Sequence, residues 1–403
     1  MKILVLNSGS SSQKSALFEL EPGASTVPVP ALWEGKLDWD GEHEILTVRN
    51  FQGEQIRNEA EVGAEDRRIS VEKMLRNVWS GPTAVLNAPA EIYVVGHRIV
   101  HGGPKLTQPA RIDSAVKQTI SEVSEIAPLH NKAGLQGIDL AEKLLPNTPQ
   151  VAVFDTGFHR TLPLETQVYP GPYAWYERGI RRFGFHGINH EYCAHRAARI
   201  LDRDIASVKT VTCHLGNGCS LSAIDGGRSV DTTMGFTPLE GLMMGTRSGS
   251  IDPGILTPLV RSGHANQAEL DDILNHQSGL LGISGTSSDM RDIVSAMRDG
   301  KERARLAFDI FIHRLRAGIA AMAASLGGLD VLVFTAGIGE NSPEVRRAAC
   351  EKLGFLGIQI DDANNLSAKL DADISSLASR VRVLVIRAQE DWAIAQVCSQ
   401  LLS

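Results

Sequence analysis

The chain has 403 residues, enough for two domains that each bury a core. At 43% hydrophobic and 22% charged residues it reads as an ordinary soluble globular protein, and a net charge of −7 without a long basic block argues against nucleic acid or an anionic membrane as main partner. Lys2 leads straight into a short strand, so no signal peptide is expected; no apolar run reaches bilayer length, and five cysteines without zinc-site spacing (Cys193, Cys213, Cys219, Cys350, Cys398) read as reduced thiols in the cytoplasm.

The first predicted element is a hairpin. Ile3 to Leu6 form an apolar strand, Asn7 to Ser12 a glycine-serine turn, and Gln13 to Phe18 a returning strand. Backbone amides and hydroxyls in such a turn, Ser10 and Ser12 among them, suit phosphate oxygens or a hydrated metal, and Lys14 adds a point charge. With no Walker pattern, an ordinary solvated turn reads equally well from this stretch alone. Pro22 to Pro89 carry little chemistry: edge strands are expected within Thr26 to Arg49, and Ser70 is expected to cap a helix whose apolar face is Val71, Met74, Leu75 and Val78. The stretch reads as a peripheral insertion.

Chemistry returns where the buried strand Ile92 to Val95 runs into Gly96-His97-Arg98-Ile99-Val100-His101-Gly102-Gly103. An arginine between two histidines at a strand end reads either as an anion clamp or as a surface arginine with satisfied histidines. His130 precedes a predicted helix, Lys132 to Leu145, where anions are favoured. The strand Val151 to Phe154 ends in Asp155, which reads as a base, a metal-water ligand or a helix cap. Arg181 to Gly187 form a basic, aromatic turn before a helix predicted from about Asn189; His186 there either faces an anion or packs in the loop.

A second hairpin, Val211 to Ile224, repeats the first, with His214, Gly216, Asn217 and Gly218 at its turn. Two such hairpins opening the two halves suggest similar domains facing one nucleotide across a cleft, and here the sequence resembles the superfamily of actin, sugar kinases and heat-shock ATPases. A long glycine-punctuated loop, Asp231 to Gly249, holds the lone cation Arg247. Gly285 to Arg291 run into a helix start with Asp289, Met290 and Arg291, a capping turn or a ligand contact. Phe308, Phe311, Ile312, Leu315, Ile319 and Met322 share one helical face and read as core. The strand Val331 to Thr335 turns through Gly337, Ile338, Gly339 and Asn341, glycines against which an adenosine fits, into a helix capped by Ser342 with Pro343 first. A last strand, Val381 to Ile386, leads to Glu390-Asp391 and a closing helix, Trp392 to Leu402.

Taken together, these segments resemble the acetate kinase family, which also includes propionate and butyrate kinases. The matching stretches are Asn7 to Lys14, Gly96 to Gly103, Pro128 to Asn131, Phe154 to His159, Arg182 to Gly187, His214 to Ser220, Gly235 to Gly249, Ser288 to Arg291 and Phe334 to Ser342, in family order. The resemblance implies an α/β fold of two ribonuclease-H-like domains with an interdomain cleft, expected here at 1–150 plus 388–403 and at 151–387. It implies reversible transfer from ATP to acetate, dependence on magnesium (or manganese), and a homodimer. It assigns Asn7 and Glu390 to the metal; Ser10, Ser12 and Lys14 to the phosphates; Arg98 and Arg247 to the carboxylate and moving phosphoryl group; Asp155 to catalysis; and His186 to the transition state, supported by His130 and His214. Val100, Leu129, Phe185 and Pro238 would line the methyl pocket, and Asp289, Met290, Arg291, Gly337, Ile338 and Asn341 would hold the nucleotide, with Gly216, Asn217, Gly218 and Gly339 beside them. The family usually has Thr-Asn-Glu-Glu where this chain has Ala388-Gln389-Glu390-Asp391, and a common alanine where it has Gly157.

This chemistry suits the residues. A carboxylate nucleophile is already ionised at neutral pH, so Asp155 is expected to orient rather than accept a proton. Val100 follows Arg98 by two residues, so strand alternation predicts that both face the acid and that acetate is preferred over propionate. A sugar kinase would need a base and a polar pocket, and a non-catalytic actin-like ATP-binding protein would leave Arg98, Arg247 and His186 without a purpose.

Overall fold

Apolar runs bounded by glycine and polar turns build two mixed sheets, seen in a computed structural model. It describes residues 1–9, 12–21, 27–63, 67–124 and 128–402, and their side chains except at 40 and 128–130. Ser10 lies outside the described residues, as do the side chains of Leu129 and His130.

The first sheet contains β1 (Lys2–Ser8), β2 (Ser12–Glu19), β3 (Trp33–Asp40), β4 (His43–Asn50), β5 (Gln55–Glu61), β6 (Val94–Ile99), β7 (Ala110–Arg111) and β8 (Gln150–Phe154). Its order is β5-β4-β3-β2-β1-β6-β8-β7. β1 pairs antiparallel with β2, setting Asn7 opposite Lys14, and parallel with β6, which in turn pairs parallel with β8. The second sheet contains β9 (Lys209–Leu215), β10 (Cys219–Asp225), β11 (Arg228–Thr232), β12 (Val331–Thr335), β13 (Ala372–Asp373) and β14 (Arg382–Val385), in the order β11-β10-β9-β12-β14-β13. β9 is antiparallel to β10 and parallel to β12, and β12 is parallel to β14. Each sheet thus contains a three-stranded antiparallel meander, β1–β3 in the first and β9–β11 in the second, whose first strand continues into two parallel strands, the ribonuclease-H-like plan repeated; in the first sheet β4 and β5 extend the meander.

The chain divides into two compact units, Met1–Phe158 with Gln389–Ser403, and His159–Ala388. Because β8 pairs with β6, the division comes after β8, later than the expected boundary at 150/151. In the first unit the closing helix, Glu390–Leu402, packs on β1 and β6. Gly96 permits this close approach: a Cβ there would come within 2.7 Å of Cys398 Sγ and of Ile394. In the second unit the helix Gly187–Ile200 covers β9 and β12, and the helix Glu302–Ser325 packs on β10 with its predicted apolar face buried.

Several local expectations are corrected. The segment expected as a peripheral insertion supplies three of the sheet's eight strands and buries Trp33, Leu37 and Val48 with Met74, Leu75 and Val78. Ser70 lies inside the helix Arg67–Arg76, where it is buried, instead of capping it. The helix expected after His130 begins at Pro128, which places His130 in its first turn. β12 runs directly into the short helix Ala336–Asn341, and Ala336 takes a left-handed φ of 64°. Among the described residues, no helix is long and apolar enough to cross a membrane.

Candidate active site

Parallel register brings the first set of candidate side chains together. Pairing of Ile99 with Phe154 puts Arg98 and Asp155 at adjacent strand ends, where Arg98 Nη2 donates to Asp155 Oδ2. The Asp155 side chain is 1% exposed and that of Arg98 13%, so this is a largely desolvated pair. Burial opposes the arginine's charge, but the carboxylates of Asp155, Glu390 and Asp391 outweigh it and hold the guanidinium above the usual arginine range. Arg98 Nε is buried with no hydrogen-bond partner among the described residues.

Asn7, at the end of β1, joins this set. Its Nδ2 donates to Asp391 Oδ1 at 2.8 Å and to Glu390 Oε2 at 3.3 Å, at the start of the closing helix. Loss of solvent raises the pKa of Asp391 and the neighbouring charge of Glu390 adds to this, while Asn7, Lys14 and Arg98 work the other way. Closely set carboxylates beside an amide are hard oxygen donors whose repulsion a divalent cation relieves. The set therefore fits magnesium, which takes one or two carboxylates and completes its shell with water and substrate phosphate. Among the described residues no three His, Cys, Asp or Glu gather to hold a metal unaided, as such a shared site allows. Asp391 carries no local sequence signal beyond its adjacency to Glu390 at a helix start. In the hairpin turn, Gly9 N donates to Ser12 O at 2.8 Å, and Lys14 is exposed.

Of the two histidines beside Arg98, His97 is structural. His97 Nε2 lies 2.6 Å from Gln150 Oε1, an amide oxygen that only accepts, and burial pushes the imidazole down to about 4, so it is neutral. His101 Nδ1 accepts from Gly103 N at 2.8 Å, while Asn131 exchanges hydrogen bonds with the backbone N–H and carbonyl of His101. Arg98 therefore pairs with Asp155, and His97 turns to Gln150 instead of flanking it. Val100 is buried but lies one residue beyond the end of β6, so strand alternation does not govern its direction.

The second set surrounds the second hairpin. His186 precedes the helix Gly187–Ile200 with a left-handed φ of 56°, a strained conformation for a non-glycine residue. Its ring stacks on that of His214, at the end of β9, with centroids 3.9 Å apart and planes 10° from parallel. Arg247 Nη1 donates to the carbonyl of Pro238 at 2.7 Å, and burial lowers its pKa. A Cβ on Gly218 would lie 3.1 Å from Arg247 Nη2 and 3.5 Å from His186 Nε2, so both groups converge over this bare turn residue. Phe185, just before His186, is buried and Pro238 is half-buried.

A network the sequence reading missed holds the Arg247 loop. Glu240 accepts from Arg182 Nη2 at 2.6 Å and from the Tyr169 hydroxyl at 2.5 Å, and Tyr169 Oη accepts from Phe236 N at 2.8 Å. Arg182 Nη1 also donates to the carbonyls of Thr232, Thr233 and Met234. The basic turn before His186 was a visible signal for Arg182; Tyr169 and Glu240 carried none.

A cavity of about 710 Å³ opens beside the hairpin. It gathers the predicted Gly216, Asn217, Asp289, Met290, Arg291, Gly337, Ile338 and Asn341, and adds Ser288, Val294, Ser295, Arg298, Ser342 and Glu344. Asp289 both lines the cavity and caps the helix Met290–Arg298 by accepting from Arg291 N at 2.8 Å. Gly339 is buried and its carbonyl accepts from Arg346 Nη1 at 2.9 Å, behind the lining residues. Glu340 Oε1 accepts from the N–H groups of Ala336 and Ala388, fixing the left-handed turn into the cavity wall.

A family model described as the Acetokinase family matches residues 2–396. The chain belongs to the acetokinase family. The likeness runs end to end: the chain is 54% identical over 406 residues to the acetate kinase of Trichormus variabilis and to that of Gloeobacter violaceus, covering 100% of each relative and of itself. Among solved structures it resembles Porphyromonas gingivalis acetate kinase (39% identity, TM-score 0.89, 99% of each chain) and a Francisella tularensis propionate kinase (36% identity, TM-score 0.87, 98% of each chain). The two ribonuclease-H-like sheets are therefore the acetokinase fold.

Proposed function

We propose that this chain transfers the terminal phosphoryl group of ATP to the carboxylate of acetate, reversibly, giving acetyl phosphate and ADP. The observation that carries the reading is its identity with acetate kinases along the whole chain. Family membership also leaves the sugar-kinase and non-catalytic readings without support.

The side chains suit the reaction. Acetate is ionised at neutral pH, with a pKa of roughly 4 to 5 by analogy with Asp and Glu, so its oxygen attacks phosphorus in line without a general base. The bond from phosphorus to the bridging oxygen of ADP breaks as the new one forms. The obstacle is the meeting of two anions, and positioned cations and donors lower it. We assign Arg98 and Arg247 to the carboxylate and the moving phosphoryl group, and His186 to the phosphoryl oxygens as charge spreads. Asp155 orients Arg98 rather than accepting a proton. Asn7 and Glu390, with Asp391 beside them, would hold magnesium, which neutralises phosphate charge when bound.

Ser10, Ser12 and Lys14 are assigned to the phosphates, His130 and His214 to the support of His186, and the cavity residues from Gly216 to Asn341 to the nucleotide. Val100, Leu129, Phe185 and Pro238 are assigned to the methyl group. A homodimer in the cytoplasm completes the proposal; the five free thiols, all buried, favour a reducing compartment. The test is hydroxylamine trapping: the purified chain with ATP, magnesium and acetate should yield acetyl hydroxamate, and no hydroxamate from acetate, propionate or butyrate would reject the reading. Propionate is the second reading, favoured by the likeness to a propionate kinase structure; kcat/KM for the two acids separates them.

A further inference from the structure

The inference rests on the phosphoryl-transfer reading and concerns what stands behind His186. Ser220 Oγ lies 2.8 Å from His186 Nδ1 and 2.8 Å from His190 Nε2. On the far side, His190 Nδ1 lies 2.6 Å from Thr212 Oγ1. Thr212, His190 and Ser220 are each 0% exposed. Burial, with His159 and His214 nearby, holds the pKa of His190 well below its ordinary value, so its ring carries one proton.

Proton counting then gives the chain a direction. A hydroxyl donates once, and a neutral imidazole donates from one nitrogen and accepts at the other. Among the described residues, Thr212 Oγ1 has His190 Nδ1 as its side-chain hydrogen-bond partner and no other. A buried hydroxyl proton must be used, so Thr212 donates to His190 Nδ1. His190 must then donate from Nε2 to Ser220 Oγ, and the Ser220 hydroxyl is left to donate to His186 Nδ1. That bond requires Nδ1 to be bare and puts the proton of neutral His186 on Nε2, the nitrogen over Gly218.

We propose that Thr212, His190 and Ser220 form a one-way hydrogen-bond chain that locks His186 as its Nε2–H tautomer, so that a donor and not a lone pair meets the transferring phosphoryl group. Ser220 and His190 are positioning residues in this scheme. Reversing the chain strands the Thr212 proton and aims a lone pair at a phosphate oxygen. Protonating both nitrogens of His186 instead would place a cation against the ring of His214 and near the guanidinium of Arg247. His214 follows the same rule independently: Asn189 Nδ2 donates to its Nδ1 at 2.8 Å, so its Nε2 also carries the proton.

The experiment is nitrogen NMR of the whole enzyme labelled at histidine, from pH 7 to 9, with and without ADP and magnesium. In the wild type, His186 Nδ1 should resonate as an unprotonated nitrogen and Nε2 as a protonated one. Ser220→Ala should abolish this fixed tautomer and lower kcat about 10- to 100-fold, the range for removing an outer partner that orients a histidine, while KM for ATP and acetate stays near wild type. A protonated Nδ1 in the wild type overturns the proposal, as does a folded Ser220→Ala enzyme with full turnover. The wild-type spectrum decides alone if the variant does not fold. Failure of hydroxamate formation by the wild type would instead reject the function reading, whatever the spectrum.

Discussion

Arg98 and Asp155 form a charge pair at two neighbouring strand ends, and the carboxylate half is almost wholly out of water. Removing either partner alone strands a buried charge, which costs about 3–5 kcal/mol. Arg98→Ala and Asp155→Ala should each lose stability of this order in urea unfolding, and the double variant should lose less than their sum. Turnover of Arg98→Ala should fall by orders of magnitude, and Arg98→Lys should rescue it poorly because an ammonium lacks the planar fork. Strictly additive losses would show that the pair is not coupled.

Gly218 owes its identity to what lies over it. Its backbone is outside the left-handed region, so Gly218→Ala should fold. The new methyl, 3.1 Å from Arg247 Nη2, should displace the guanidinium and cost about 10²-fold in kcat, the scale of a 1 Å misplacement. His186→Ala should cost about 10²- to 10³-fold in kcat with little change in KM for ATP. Steady-state kinetics of both variants check this, and near-normal turnover in Gly218→Ala would contradict the convergence.

The metal assignment turns on Asn7, Glu390 and Asp391. Glu390→Ala should raise the magnesium concentration needed for half-maximal rate, and excess magnesium should restore part of the activity. Asp391→Asn should shift the same titration in the same direction by a smaller factor. Unchanged magnesium curves in both variants would move the metal to other residues.

For the acid, acetate should be preferred over propionate and propionate over butyrate. One methylene in an apolar pocket is worth about 1–3 kcal/mol, so propionate should remain measurable. Val100→Ala should move the ratio toward propionate, mainly through KM. Since Val100 lies past the end of β6, its direction depends on the bend there, and an unchanged ratio with lower thermal stability would make it a packing residue.

Buried neutral histidines predict an acid limb in stability. Burial pushes His97 and His159 down to about 4, against about 6.5 when unfolded. Between those values the unfolded chain binds more protons, so stability is full above about pH 6.5 and is lost as pH falls toward 4. Each such histidine adds a slope of at most about 1.4 kcal/mol per pH unit. His97→Gln keeps a hydrogen-bonding group beside Gln150 and should flatten the limb; urea unfolding from pH 4.5 to 7.5 measures it, and an unchanged slope would mean that His97 is not held neutral.

What the sequence determined by itself was local or additive. Apolar runs and glycine-serine turns specified both hairpins, Ser342 and Pro343 marked a helix start, and the order of short motifs pointed to the acetokinase family. These features survive because turn chemistry and apolar periodicity act over a few residues. Tertiary structure decided the rest. It turned His97 from a clamp candidate into a neutral strut on Gln150, brought Asp391 to Asn7 from the opposite end of the chain, and closed Glu240 onto Tyr169 and Arg182. It also set Thr212 and Ser220 of two neighbouring strands on either side of His190. The physical reason is common to all four: the protonation, tautomer and reach of a polar side chain depend on burial and on partners delivered by sheet register, and neither is encoded in the residues beside it.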